Sequence, residues 1–170
     1  LPHIAEALEK SVVMNGFSDR ATVSKMVVSD TCGEVEFFAA SHSPLSSVHP
    51  LSGSAPGSNL VVQATTLDKA IPEGTAVDLI KIDVEGAEPL VWAGMKRIIQ
   101  DSPNIQIIME WSNSHFRRTN FSEQAFLNEI VGDGFEVSLI DTTGLLGPIT
   151  GGQAAQMEGA NVHLRRRVGG

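Results

Sequence analysis

Positive charge is scarce in this chain: 12 Lys and Arg stand against 20 Asp and Glu, a formal net charge of −8 over 170 residues. Nucleic-acid phosphates repel such a surface, and the only basic run, Arg165-Arg166-Arg167, is short. Cysteine is nearly absent. Cys32 stands alone, which excludes an intrachain disulfide and any CxxC zinc site and points to a reducing compartment. No apolar stretch approaches the roughly 20 residues that cross a bilayer, and the N-terminus shows no signal-peptide pattern. Also missing is a GxGxxG or GxG loop after a strand; Gly132-Asp133-Gly134 lies between a helix and a strand. That absence disfavours an unrelated nucleotide-binding fold, which needs backbone N–H groups around phosphates. What remains is an acidic, cytoplasmic, single-domain protein spanning residues 1–170, with 42% hydrophobic and 19% charged residues.

Periodicity supplies the elements. Ile4, Ala7, Leu8 and Val12 share a helical face over residues 3–14, opened by Pro2 and ended by Asn15-Gly16. Thr22 to Val28 reads as a β-branched strand, and Glu34 to Phe38 as a short antiparallel addition. Residues 41–59 hold seven Ser, three Pro and two Gly without a period, and are expected to form a lid or flexible loop. Leu60–Thr66 is a further strand, and the run Val77–Ile82 is expected to be covered on both faces. A helix over Gly86–Gln100 carries Leu90, Val91, Gly94 and Ile98 on one stripe, and Asp101-Ser102-Pro103 stops it. Then come a strand at Ile105–Met109, a helix capped by Ser122, and a strand at Phe135–Ile140. A Gly-rich stretch leads to a last strand, Asn161–Arg167. The alternation predicts an α/β fold, a parallel sheet with helices on both faces. The helix-free final connection predicts an antiparallel last strand inserted beside its predecessor.

Several strands end in acids: Asp30, then Asp83 with Glu85, then Glu110, then Asp141. Ligands of open α/β sheets sit outside the carboxyl ends of the strands, so these acids should share an edge. Asp30 is a turn or a site residue, and Asp141, before Thr142-Thr143-Gly144, is a turn residue. Asp83 or Glu85 can cap the helix beginning near Gly86, yet two acids flanking one valine exceed what capping needs. Glu110 has no helix in the expected scheme to cap. Asp83, Glu85, Glu110 and His115 offer oxygen and imidazole ligands, but their spacing matches no metal motif and no metal is assigned. Trp92, on the helix, and Trp111, at the strand end, are both expected to pack, Trp111 being the better candidate of the two to flank a ligand. His42 and His49 fall in the Ser-rich loop, where solvated histidines are the common case.

The segment Asp78-Leu79-Ile80-Lys81-Ile82-Asp83-Val84-Glu85-Gly86-Ala87-Glu88 resembles the most characteristic stretch of the FkbM family of S-adenosylmethionine-dependent methyltransferases. Met14-Asn15-Gly16, Ser29-Asp30 with Gly33-Glu34-Val35, Thr66-Leu67-Asp68 and Asn161-Val162-His163-Leu164 resemble other parts of that family in the right order. The resemblance spans essentially residues 1 to 167. It implies a Rossmann-like class I methyltransferase sheet of seven strands with the last antiparallel.

In that fold a Gly-rich turn follows the first strand and an acid that holds the ribose follows the second. Neither occurs here, so the chain is expected to be incomplete at its N-terminus by a strand-helix-strand unit of roughly 30 or more residues. The resemblance further implies S-adenosyl-L-methionine as cofactor, with Asp83 toward its methionine part and Ser29 and Asp30 toward the adenine. Glu85 and Glu110 face the acceptor as catalytic groups, and the methyl goes to oxygen of a small metabolite or sugar. The alternative is a non-catalytic binding or assembly module that kept a degenerate methyltransferase fold. Exposed sheet edges predict self-association; no nucleic-acid or membrane partner is expected.

Overall fold

A computed structural model of the chain describes residues 1–38, 59–144, 146–149, 151–154 and 156–167. The expected lid at 41–59, with His42 and His49, lies outside the described residues except for Asn59. Helix α1 (Pro2–Met14) has Pro2 in its first turn and ends at Asn15 before the positive-φ Gly16. It buries none of its side chains. Strand β1 is only Val27–Val28, far shorter than the β-branched run predicts. Its one described neighbour is β3 (Asn59–Thr65), which it meets in parallel through Val27 opposite Ala64 and Val28 opposite Thr65. Among the described residues, 22–26 meet no partner strand. Strand β2 (Gly33–Phe38) pairs antiparallel with β3, giving a three-stranded sheet in the order β1-β3-β2.

A second sheet holds five strands: β4 (Leu79–Ile82), β5 (Gln106–Trp111), β6 (Phe135–Ile140), β7 (Leu146–Pro148) and β8 (Ala160–Arg166). Their order is β4-β5-β8-β6-β7. β4 and β5 are parallel, and β8 enters antiparallel between β5 and β6, as the Gly-rich connection predicts. The single sheet expected from the alternation is thus two sheets in a mixed α/β fold. The run at 77–82 is also not covered on both faces. Among the described residues β4 pairs with β5 alone, and Leu79 is 58% exposed.

Helix α2 (Leu67–Ala70) is capped by Thr66, whose side chain accepts from Lys69 N at 3.1 Å. The helix expected over 86–100 is two, α3 (Glu88–Ala93) and α4 (Lys96–Asp101). Gly94 stands at the break because a Cβ there would lie 2.2 Å from the Ser29 carbonyl oxygen. Asp68 then supplies the cap that α4 lacks of its own, accepting from Arg97 N at 2.9 Å and Ile98 N at 3.0 Å. Helix α5 (Asn113–Thr119) has no counterpart among the expected elements, and the short β7 and α7 (Gly151–Ala154) likewise fill the Gly-rich stretch. Helix α6 (Glu123–Gly132) starts at Ser122, whose hydroxyl accepts from Ala125 N.

The core gathers between the five-stranded sheet and these helices. Trp92, Trp111, Phe116, Phe126 and Phe135 meet edge-on or stacked, with centroids 5.0 to 6.2 Å apart. Trp92 and Trp111 both pack as expected, and Trp111 is not a ligand-flanking ring. It is fully buried, stacks on Phe126 and donates its indole N–H to the Ala154 carbonyl at 3.2 Å.

Candidate functional site

The pairing of β4 with β5 sets the site. Ile82 lies opposite Met109, so Asp83, just past the end of β4, and Glu110, the last but one residue of β5, stand level at the carboxyl ends of the two strands. After β4 the backbone makes a tight turn in which Glu85 and Gly86 take positive φ, 56° and 102°. A glutamate rarely adopts that region, and such residues concentrate at functional sites when the surroundings hold them there. Here they are held from two sides. Glu88 accepts from Val84 N and Gly86 N at 3.3 Å each, and Arg118 donates to the Glu85 carbonyl. Gly86 is seated against α5: a Cβ would come within 3.0 Å of Thr119 Cγ2 and 3.2 Å of the His115 carbonyl oxygen.

That close approach brings His115, in the first turn of α5, between two carboxylates. His115 Nε2 is 3.4 Å from Glu85 Oε2, and Nδ1 is 3.6 Å from Glu110 Oε2. One oxygen or nitrogen from each of the three residues falls within 4.8 Å of the others, and all three side chains are partly buried. Burial pushes the Glu85 carboxyl above its ordinary range; the negative charges of Glu110 and Asp83 add to this, and His115 and Arg118 oppose it. Burial likewise raises Glu88, whose backbone hydrogen bonds pull the other way. Glu88 is therefore the support of the turn and not part of the cluster.

Of the predicted site residues, Glu85 and Glu110 come together. Asp83 stays outside their cluster: it is exposed and holds the Lys81 ammonium at 2.9 Å. Ser29 is buried at the end of β1, donating its hydroxyl to Asp30 Oδ1 at 3.1 Å, and Asp30 is exposed. Asp141 forms the expected turn, accepting from Thr143 N at 2.8 Å. The reason given for Glu110 needs correction, because α5 does begin three residues after it. Glu110 still does not cap that helix: its Oε2 accepts no hydrogen bond among the described residues. Glu158 takes the capping task instead, accepting from Ser114 N at 3.0 Å and from the Ser112 hydroxyl at 3.1 Å. Those bonds, with Arg117, hold its pKa down to about 2.

Sequence reasoning missed that His115 would be the residue between the two glutamates. Its segment, Ser112-Asn113-Ser114-His115-Phe116-Arg117-Arg118-Thr119, has too few apolar residues to announce a helix. The one available signal was Gly86, a glycine directly after the paired acids, which marks a close backbone approach.

Comparison with known proteins gives a match to the Methyltransferase FkbM domain over residues 5–136. The matched span contains Ser29, Asp30, Asp83, Glu85, Glu110 and His115. No curated protein and no solved structure matches the chain.

Proposed function

This chain belongs to the FkbM methyltransferase family, and on that premise we propose that it transfers a methyl group from S-adenosylmethionine to an oxygen of a small metabolite or sugar. The observation that carries the reading is the convergence of Glu85, Glu110 and His115 at the carboxyl edge of two parallel strands. When bound, the cofactor supplies an electrophilic methyl group on a sulfonium.

The chain's own groups fit such a cofactor by donor chemistry. Asp83 offers a carboxylate to a sulfonium, and Asp30 an acceptor to an exocyclic amine. The Lys81 pair on Asp83 is no obstacle, since exposed ion pairs contribute only about 0–1 kcal/mol and open readily. In this reading Glu85 and Glu110 orient an acceptor hydroxyl, and one of them takes its proton as the oxygen attacks in line. His115 lies between them, 3.4 Å from Glu85 Oε2 and 3.6 Å from Glu110 Oε2.

Among the described residues β4 pairs with β5 alone and Leu79 is exposed, which favours self-association, and a monomer in sedimentation that unfolds in one cooperative step would refute this. Calorimetric titration with S-adenosylmethionine tests the whole. Saturable binding in the micromolar range is expected, about tenfold weaker in Asp83→Asn if a charge contact of about 1.4 kcal/mol is lost. No binding overturns the catalytic reading in favour of a non-catalytic module built on the same fold. Where turnover is measurable, Glu85→Gln and Glu110→Gln should each lower it by about 10²-fold or more. Unchanged turnover removes both residues from the chemistry.

A further inference from the structure

We propose that Glu85, Glu110 and His115 form a binding site for one divalent cation of the Mn²⁺ or Zn²⁺ type. The three donors come from three separate elements, the turn after β4, strand β5 and helix α5, and meet within 4.8 Å. Sequence spacing gave no metal motif because the ligands are assembled by the seating of Gly86 on α5, not by a local repeat.

The contacts inside the cluster are poor ones if nothing sits there. An N–H···O bond is made at about 2.7–3.2 Å, whereas His115 stands 3.4 and 3.6 Å from its two carboxylates. Glu110 Oε2 is shut off from solvent and yet accepts no hydrogen bond among the described residues. A carboxylate oxygen left in that state costs free energy, and each such atom calls for a missing partner. A single imidazole proton cannot serve both acids well. A dication satisfies the orphaned oxygen, balances two negative charges, and takes one nitrogen of His115.

Metal–ligand bonds of about 2.0–2.2 Å put neighbouring donors about 3.0–3.5 Å apart, so side-chain rotations of roughly an ångström close the site. Two carboxylates with one imidazole suit Mn²⁺ or Zn²⁺ better than Ca²⁺, which takes six to eight oxygens. Helix α5 is tied at its start by Glu158 and Glu85 by Arg118, and such outer contacts orient ligands. The role of the cation rests on the methyl-transfer reading. There it lowers the pKa of a bound acceptor hydroxyl, and a Glu85 bound through one oxygen keeps the other free to receive that proton.

The test uses MnCl₂ alone, without cofactor or acceptor. Titration followed by electron paramagnetic resonance should show one Mn²⁺ per chain, with spin-echo modulation from a single histidine nitrogen in the unaltered protein. Glu110→Gln and His115→Ala should each weaken binding by at least about tenfold, while Asp30→Asn leaves it unchanged. No saturable Mn²⁺ binding up to on the order of 1 mM overturns the site, as does binding without histidine modulation. The nitrogen signal is read on the native chain, so a variant that fails to fold does not blunt the test. Mn²⁺ binding without S-adenosylmethionine binding would leave the site standing and sink the methyl-transfer reading. The reverse outcome would sink the metal alone.

Discussion

The two sheets of this molecule are built to different standards. Around the five-stranded sheet, Trp92, Met95, Ile98, Ile107, Trp111, Phe116, Ile130 and Leu164 are all buried with under 2% exposure. Around the three-stranded sheet the buried residues among those described are Ser29, Ala64 and Thr65, while Ile4, Leu8, Met26 and Val61 are exposed. Yet α1 has the same kind of apolar stripe that buries α6. An amphipathic pattern states that a face needs a partner; it does not supply one. The C-terminal half finds its partners in its own chain, and the N-terminal half shows apolar surface that the described residues leave uncovered.

Removing the largest piece of the well-packed half is the strongest way to break that contrast. Trp111→Ala deletes a ring stacked on Phe126 and edge-on to Phe116, and it leaves the Ala154 carbonyl with only the 3.4 Å bond from Met157 N. Chemical denaturation should show a loss of about 3–5 kcal/mol. A loss under about 1 kcal/mol would mean that the aromatic cluster does not hold the fold together.

The next effect concerns the seam between the halves. Gly94→Ala places a Cβ 2.2 Å from the Ser29 carbonyl oxygen, and no flexible side chain is there to yield. Backbone must move, at a cost of about 1–3 kcal/mol. Hydrogen exchange should then speed up in β1 and β3 while β5 and β8 stay protected. Equal loosening of both sheets would show that they unfold as one unit.

The same contrast governs what could be read from the residues. The order of the strongly apolar strands, the antiparallel last strand and the shared edge of Glu85 and Glu110 were legible, because each depends on pattern within one segment or on a topological rule. The cover of β4 was not. Val77–Ile82 reads as a strand buried on both faces, but Leu79 and Lys81 on one face are exposed while Ile82 on the other is buried, because an apolar run does not by itself bring a layer to each face. The break at Gly94 and the placing of His115 were hidden for a related reason. Both are set by contact with a distant segment, Ser29 in one case and the Glu85-Gly86 turn in the other. Local periodicity carries no record of such approaches.

A smaller effect sharpens the contrast by touching the polar rim of the C-terminal half and not its core. The Glu158 carboxyl is held at about 2 against an ordinary 4.5, first by the Ser114 N–H and then by the two serine hydroxyls and Arg117. A depressed folded-state value means that the stabilisation is complete above about 4.5 and fades as the pH falls toward about 2. Because the group is exposed, the amount should stay below about 1 kcal/mol. Denaturation midpoints measured at pH 6 and pH 2.5 should differ less in Glu158→Gln than in the parent chain. An equal difference in the two proteins would show that this cap does not hold α5.

The smallest change in folding stability is expected at Leu8, on the face of α1. It is 52% exposed in the chain alone, so Leu8→Ala removes little buried surface and should shift unfolding by under about 0.5 kcal/mol in dilute protein. Leu8→Glu should be nearly as mild by the same measure. Its value lies in a second readout. If copies of the chain cover each other's N-terminal halves, the added charge meets apolar surface in the assembled state and not in the monomer. Sedimentation of Leu8→Glu should then move toward the monomer while the unfolding transition of the dilute chain stays in place. Sedimentation identical to that of the parent would show that the stripe on α1 is not where the copies meet, and the side of β4 that no described strand pairs would then have to account for any association.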